Sequence, residues 1–86
     1  MSSISTAIRG VIATHGKLMT DVSKLEDSDD LYENGMTSHG TVNVMLALED
    51  EFHVEFPDAV LRRASFQSID SIHQLLESIG VQDAPE

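Results

Sequence analysis

The sequence predicts an all-α fold, a small four-helix bundle with a long loop between helices one and two and a short third helix. Apolar residues recur at helical spacing in several segments, and no segment alternates with the two-residue period of a strand. With 86 residues there is room for one hydrophobic core only. The expected organisation is a single domain over 1–86, with helices at about 3–17, 38–52, 58–64 and 68–79, a loop at 18–36 and a frayed tail at 80–86.

The first helix rests on Ile4, Ile8, Val11, Ile12 and His15, with Ser2, Ser3 or Ser5 as cap and Gly16 near its stop. Gly10 weakens it, since glycine costs roughly 1 kcal/mol against alanine inside a helix. From Leu18 to Met36 the period fails while Asp, Ser, Asn34 and Gly35 accumulate. This reads as a long acidic connection with Leu25, Leu31 and Tyr32 tucked against the core, and a loop of that length in so small a domain is often functional. Thr37 or Ser38 can cap the second helix, whose stripe of Val42, Met45, Leu46, Leu48, Glu49 and Phe52 is expected to pack, with an acidic face opposite. After Pro57 a short helix over Asp58 to Ala64 would turn Val60 and Leu61 inward, and Ser65 to Gln67 would link it onward. Ser68 caps the last helix, in which Ile69, Ile72, Leu75, Leu76 and Ile79 share a face and Gly80 is the stop.

Composition narrows the function classes. Zero cysteines exclude disulfides, thiolate metal sites and a cysteine nucleophile, and are compatible with a reducing cytosol. Fifteen acidic against five basic residues give a net charge of −10, which argues against capture of nucleic acid or anionic membrane and for a basic partner surface. Ten of the carboxylates (Glu26, Asp27, Asp29, Asp30, Glu33, Glu49, Asp50, Glu51, Glu55, Asp58) fall between positions 26 and 58, where no Lys or Arg interrupts them. No stretch reaches the ~18 apolar residues of a membrane span, and the first residues lack the basic start and apolar run of a signal peptide. A soluble, cytoplasmic protein is expected.

Ser38 follows the Asn34-Gly35 turn and opens the second helix. Locally it reads as a helix cap, or else as an outward hydroxyl at a positive dipole end. A hydrolase built on Ser38 and His39 fails, because Met36 replaces the glycine that a nucleophile elbow needs and no strand precedes it. A calcium loop starting at Asp30 also fails, with Tyr32 at its third position and Thr41 at its twelfth. His73 and Glu77 share a helix face, but two ligands make no metal site. No catalytic residue and no metal are therefore expected. Glu49-Asp50-Glu51 alone reads as a solvated face; beside the acidic loop and an exposed serine it becomes a patch that basic enzymes can find by electrostatic steering.

From Leu31 to Gly80 the sequence resembles the acyl carrier protein family, with the first helix matching in length and polarity only. In that family a serine opens helix two within Asp-Ser-Leu, followed by Ala-Leu-Glu-Glu-Glu-Phe and then Ile-Pro-Asp. Here the same register holds Ser38, Thr41-Val42, Ala47-Leu48-Glu49-Asp50-Glu51-Phe52 and Phe56-Pro57-Asp58, and Phe66-Gln67-Ser68-Ile69 resembles the start of the family's last helix. The resemblance implies a four-helix bundle of acyl-carrier type, monomeric on its own, and not an enzyme. It implies a 4′-phosphopantetheine arm attached covalently to Ser38 by a phosphopantetheinyl transferase, holding an acyl or aminoacyl thioester. A loading ligase or synthase and downstream transferases would be its partners.

Three departures cluster at the site: Thr37 where the family has Asp, His39 where it has Leu, and Gly40 where an acidic residue is common. Asn43 also replaces a common Glu. Thr37, His39, Gly40, Asn43, Glu49 and Asp50 are accordingly the expected partner-contacting residues. These departures point to an aminoacyl, peptide-type or polyketide carrier rather than bulk fatty-acid synthesis. The competing expectation is an unmodified acidic adaptor that binds a basic protein through the second helix, with Ser38 only a cap.

Overall fold

A computed structural model describes residues 3–16 and 18–81; the predicted tail beyond Val81 lies outside them. The described residues are helical and irregular, with no strand among them. Three α-helices are present among the described residues, α1 (Ser3–Val11), α2 (Ser38–Phe52) and α3 (Ile69–Ser78). The first continues from Val11 into a π-helical turn over Ile12–Gly16. Ile4, Ile8, Val11 and Ile12 form one buried stripe and meet Val44 and Leu48 of α2 and Ile69, Ile72, Leu75 and Leu76 of α3. The spacing of each set, three or four residues, is what one face of a helix presents to a core.

The four-helix expectation is corrected on one element. Where a short helix over 58–64 was expected, the chain makes two 3-10 turns, Asp58–Val60 and Arg63–Phe66, separated by Leu61 and Arg62. Neither turn has a side-chain cap at its start, and Arg62 is extended at φ −123° and ψ 152°. Without a cap and with an extended residue between them, the two turns cannot merge into one α-helix. Leu61, expected to face inward, is 41% exposed, while Phe56 and Phe66 fill that side of the core edge-to-face with ring centroids 5.8 Å apart.

The second correction concerns α2. Val42 and Leu46, both in the expected packed stripe, are 49% and 54% exposed; Leu48 of that stripe is fully buried as expected, and Val44, outside it, is fully buried as well. Residues 44 to 48 are Val, Met, Leu, Ala and Leu, so apolar groups occupy nearly every side of the helix and no single face stands out.

The long connection contributes Val22, Leu25, Leu31 and Met36 to the core. Its aspartates are engaged with the chain itself. Asp27 pairs with Arg9 of α1 at 2.6 Å, and Asp29 accepts the Glu26 N–H at 2.9 Å. Asp30 accepts the N–H groups of Tyr32 and Glu33 through one oxygen and the Gln67 side-chain amide through the other. The Gln67 hydrogen bond, then the two backbone donors and the nearby Arg63, hold the Asp30 carboxyl below the ordinary aspartate range against a partial loss of hydration. A depressed folded-state value means that the stability Asp30 contributes is present above its unfolded pKa and is lost as pH falls through the lower folded value. The Tyr32 and Glu33 amide resonances should report this step, with a midpoint below that of an unstructured aspartate. A midpoint at or above the ordinary value would remove Asp30 as the holder of this turn.

Candidate functional site

The site is built from the turn outward. After the Asp30-anchored turn, Gly35 adopts φ +108°, a conformation open to glycine and strained for other residues. A Cβ there would lie 2.8 Å from Met19 Cγ and 2.9 Å from the Met19 nitrogen. The Met19 N–H donates to the Asn34 carbonyl at 2.9 Å, and the Thr20 hydroxyl donates to Asn34 Oδ1 at 3.0 Å. Residues 19–20 and 34–35 are thereby stapled together directly ahead of α2.

Thr37 is the cap of α2. At φ −89° and ψ 169° its hydroxyl accepts the Gly40 N–H at 3.0 Å, and its carbonyl accepts the Thr41 N–H at 2.8 Å. Ser38 is the first helical residue, exposed, and its hydroxyl makes no hydrogen bond to any described residue. The choice left open by the sequence is thus decided: the threonine caps, and the serine oxygen stays available at the positive end of a 15-residue helix whose first turn holds no acidic residue.

A cleft of about 440 Å³ opens beside Ser38 between α2 and the two 3-10 turns. Thr41, Val42 and Met45 of α2 form one wall, and Leu61, Arg62, Arg63, Phe66 and Tyr32 form the rest. On α2, Ser38, Thr41, Val42 and Met45 share a face by their three- and four-residue spacings.

The other expected contact residues separate into three places. His39, Asn43, Leu46 and Asp50 follow one another at helical spacing on the neighbouring face, roughly 100° round the helix from Ser38. Asn43, Leu46 and Asp50, with Glu51, line a second cleft of about 560 Å³ against Val11 and His15. Gly40 is buried and does not belong to an outer surface: a Cβ on it would meet the Gly16 carbonyl oxygen at 2.9 Å. Glu49 is half-buried and reaches forward, its carboxylate accepting the Phe56 N–H at 2.8 Å, while its carbonyl accepts the Val54 N–H at 3.0 Å. The left-handed His53 at φ 55° makes that reversal after α2. No spacing rule announces a carboxylate that closes the loop behind its own helix. Nor does any motif of the carrier resemblance single out Arg62 and Arg63, the basic residues nearest in sequence after a carboxylate-rich third of the chain.

The Glu49 contact has a measurable consequence. Glu49→Ala should cost about 1 kcal/mol by leaving the Phe56 N–H without its acceptor, whereas exposed Asp50→Lys should leave stability within about 0.5 kcal/mol. Equal melting curves for the two variants would contradict the assignment.

Among the described residues no group of three or more His, Asp or Glu side chains is placed to hold a metal ion, and no helix is long and apolar enough to cross a membrane. A family model described as the phosphopantetheine attachment site matches residues 7–79. The chain is 40% identical over 76 residues to the aminoacyl carrier protein of Agrobacterium fabrum strain C58, a match covering 88% of this chain and 92% of that one. Its fold is similar to that found in a crystal structure of an engineered Bradyrhizobium japonicum glycine:[carrier protein] ligase complexed with a carrier protein from Agrobacterium tumefaciens and ATP. That match has a TM-score of 0.86 and 39% identity, and covers 88% of this chain and 99% of the other. The corresponding complex with AMP gives 0.83 and 40%, covering 85% and 97%. With an exposed serine opening α2, an all-helical fold and a family match spanning most of its length, the chain belongs to the phosphopantetheine attachment-site family of carrier proteins.

Proposed function

We propose that residues 1–86 form a single carrier domain in which Ser38 Oγ bears the 4′-phosphopantetheine arm and the cargo is an amino acid loaded by an ATP-dependent amino acid:carrier protein ligase. The observation that supports this most is the division of labour at the start of α2, where Thr37 caps and the exposed Ser38 hydroxyl is uncommitted. An adaptor with Ser38 as a mere cap has no such division to explain. The surroundings also fit an anionic phosphodiester, because the helix dipole favours negative charge there and no carboxylate of the first turn opposes it.

Attachment requires only the alcohol. Ser38 Oγ attacks the pantetheine-side phosphorus of coenzyme A, the P–O bond to the adenosine half breaks, and adenosine 3′,5′-bisphosphate leaves. The serine proton passes to a base on the transferase. The arm, once bound, supplies the thiol that a chain without cysteine lacks. This chain's own residues then position and present; none acts as acid, base or nucleophile on the cargo.

His39, Asn43 and Asp50 form the partner-facing stripe in this reading. Their polar character, with His39 in place of an apolar anchor, suits brief, salt-sensitive docking. The relative's name and the ligase bound to the similar carrier support an aminoacyl cargo. The test is to incubate the arm-bearing protein with such a ligase, ATP and individual amino acids, and to read the intact mass. One amino acid residue added per arm, released by neutral hydroxylamine, is expected. Loading by a fatty acyl synthetase with no aminoacylation by the ligase would overturn the cargo assignment.

A further inference from the structure

The segment between Pro57 and α3 carries a pattern that the carrier role leaves unused. Leu61-Arg62-Arg63-Ala64-Ser65-Phe66 sets two arginines three and two places ahead of a serine, in a chain that has only five basic residues. No other serine of the sequence has a basic residue at either place. Serine kinases of the basophilic class select substrates by this charge pattern, pairing acidic groups of the enzyme with the two guanidinium groups so that the serine meets the γ-phosphate of ATP.

The fold presents the pattern outward. Leu61, Arg62, Arg63 and Ala64 are exposed, Ser65 is half-buried, and Phe66 alone of the six is anchored in the core. The Ser65 N–H donates to the Arg62 carbonyl at 3.0 Å, while its hydroxyl makes no hydrogen bond to any described residue. Arg62 forms no ion pair with any carboxylate of the described residues, although acidic groups outnumber basic ones three to one. Arg63 is held more loosely than a core residue, its guanidinium 3.9 Å from the centre of the Tyr32 ring and its carbonyl accepting the Tyr32 hydroxyl at 3.1 Å. Two short 3-10 turns without side-chain caps and a few surface contacts open locally at low cost, as an extended kinase-bound substrate requires. Arg62 and Ser65 also line a cleft of about 570 Å³ that Ser71 and Gln74 of α3 complete and that does not include Ser38.

We propose that Ser65 is a phosphorylation site for a basophilic serine kinase, and that the phosphate, once attached, settles in this cleft against Arg62 and the Gln74 side-chain amide. Ser65 Oγ attacks the γ-phosphorus of ATP, the bond from that phosphorus to the β,γ-bridging oxygen breaks, ADP leaves, and the serine proton passes to a carboxylate of the kinase. The phosphoserine brings roughly 1.5 to 2 negative charges and three acceptor oxygens, which a guanidinium three residues back and an amide across the cleft are suited to receive. Arg62 lines the cleft beside Ser38 as well. A phosphate on Ser65 therefore draws a positive charge away from that opening and turns a cationic segment acidic, without touching Ser38.

The test incubates the full chain with ATP and a purified serine kinase that selects Arg-Arg-X-Ser, and reads intact mass, a peptide map and NMR. One phosphate per chain on the Ser65 peptide is expected, and none on Ser65→Ala. Arg62→Gln and Arg63→Gln should each slow the reaction roughly tenfold or more, the loss of one charge-assisted contact to the kinase. Arg62→Gln should do so with an unchanged melting temperature, which separates recognition from folding. Phosphorylation should shift the Ser71 and Gln74 amide resonances of α3. Protein isolated from its own cells in the presence of phosphatase inhibitors should carry the same phosphopeptide in part of the population. A kinase that modifies a peptide of residues 59–68 but not the folded chain would overturn the proposal. So would equal rates for the arginine variants, α3 resonances that do not move, or native protein whose Ser65 peptide is always unmodified. A phosphate on Ser65 and an arm on Ser38 add different masses to different peptides, so either assignment can fail without the other.

Discussion

Ser38→Ala is expected to abolish arm attachment completely while changing stability by no more than a few tenths of a kcal/mol, since its hydroxyl caps nothing. Thr37→Ala should do the reverse. It removes the acceptor for the Gly40 N–H and should cost about 1 kcal/mol, yet leave the site of attachment intact. The two variants, compared by intact mass after incubation with coenzyme A and a transferase and by thermal melting, separate the chemical role from the capping role. If Ser38→Ala lost about 1 kcal/mol and Thr37→Ala lost nothing, the order of cap and site would be inverted.

The largest expected effect on stability belongs to Gly40→Val. The first turn of α2 lies so close to the π-helical turn that a Cβ at position 40 would sit 2.9 Å from the Gly16 carbonyl oxygen. That obstacle is backbone, so the helix start has to shift rather than a side chain rotate. A β-branched group there should cost about 2 kcal/mol or more, lowering the melting temperature by roughly 10 °C in a domain of this size. Because Ser38 is two residues away, the displacement should also slow arm attachment. Gly10→Ala is the control: nothing lies within 4 Å of a Cβ at position 10, and the change should stabilise α1 by up to about 1 kcal/mol. Similar melting temperatures for the two variants would contradict the close approach of α2 to the π-helical turn.

The contrast between those glycines shows where sequence reasoning stops. Both sit in helices and look alike in one dimension, but only Gly40 has a neighbour from elsewhere in the chain, a relation that no local spacing contains. For the same reason Gly40 reads as a partner-surface departure in the sequence and is buried in the fold. The all-helical class is legible because α1 with the π-helical turn after it, and α3, place Ile4, Ile8 and Ile12, and Ile69, Ile72 and Leu76, at helical spacing. The inward face of α2 is legible only in part: Leu48 is expected to pack and does, but the middle of the helix is apolar on nearly every side, and only the positions of α1 and α3 decide that Val44 goes in while Val42 and Leu46 stay out.

The site shows the same limit. Its serine is legible from the run Ala47 to Phe52 downstream and from the turn before it, which carry the family resemblance. The cleft next to that serine is not, because its arginines come from the extended residue between the two 3-10 turns and from the start of the second turn, more than twenty positions away, a distance that no motif spans. Glu49 reads as surface acid and instead holds the Phe56 N–H, since a carboxylate at a helix end serves whichever donor the following loop brings within reach.

Two facts are decisive for this chain: which of its atoms carries the arm, and what the arm carries. Protein isolated from its own cells under conditions that preserve thioesters, digested and mapped by mass spectrometry, answers both at once. The prediction is one phosphopantetheine on the peptide containing Ser38, with an amino acid on its sulfur in part of the population. A Ser38 peptide that is always unmodified, or an arm that carries only fatty acyl chains, would contradict it.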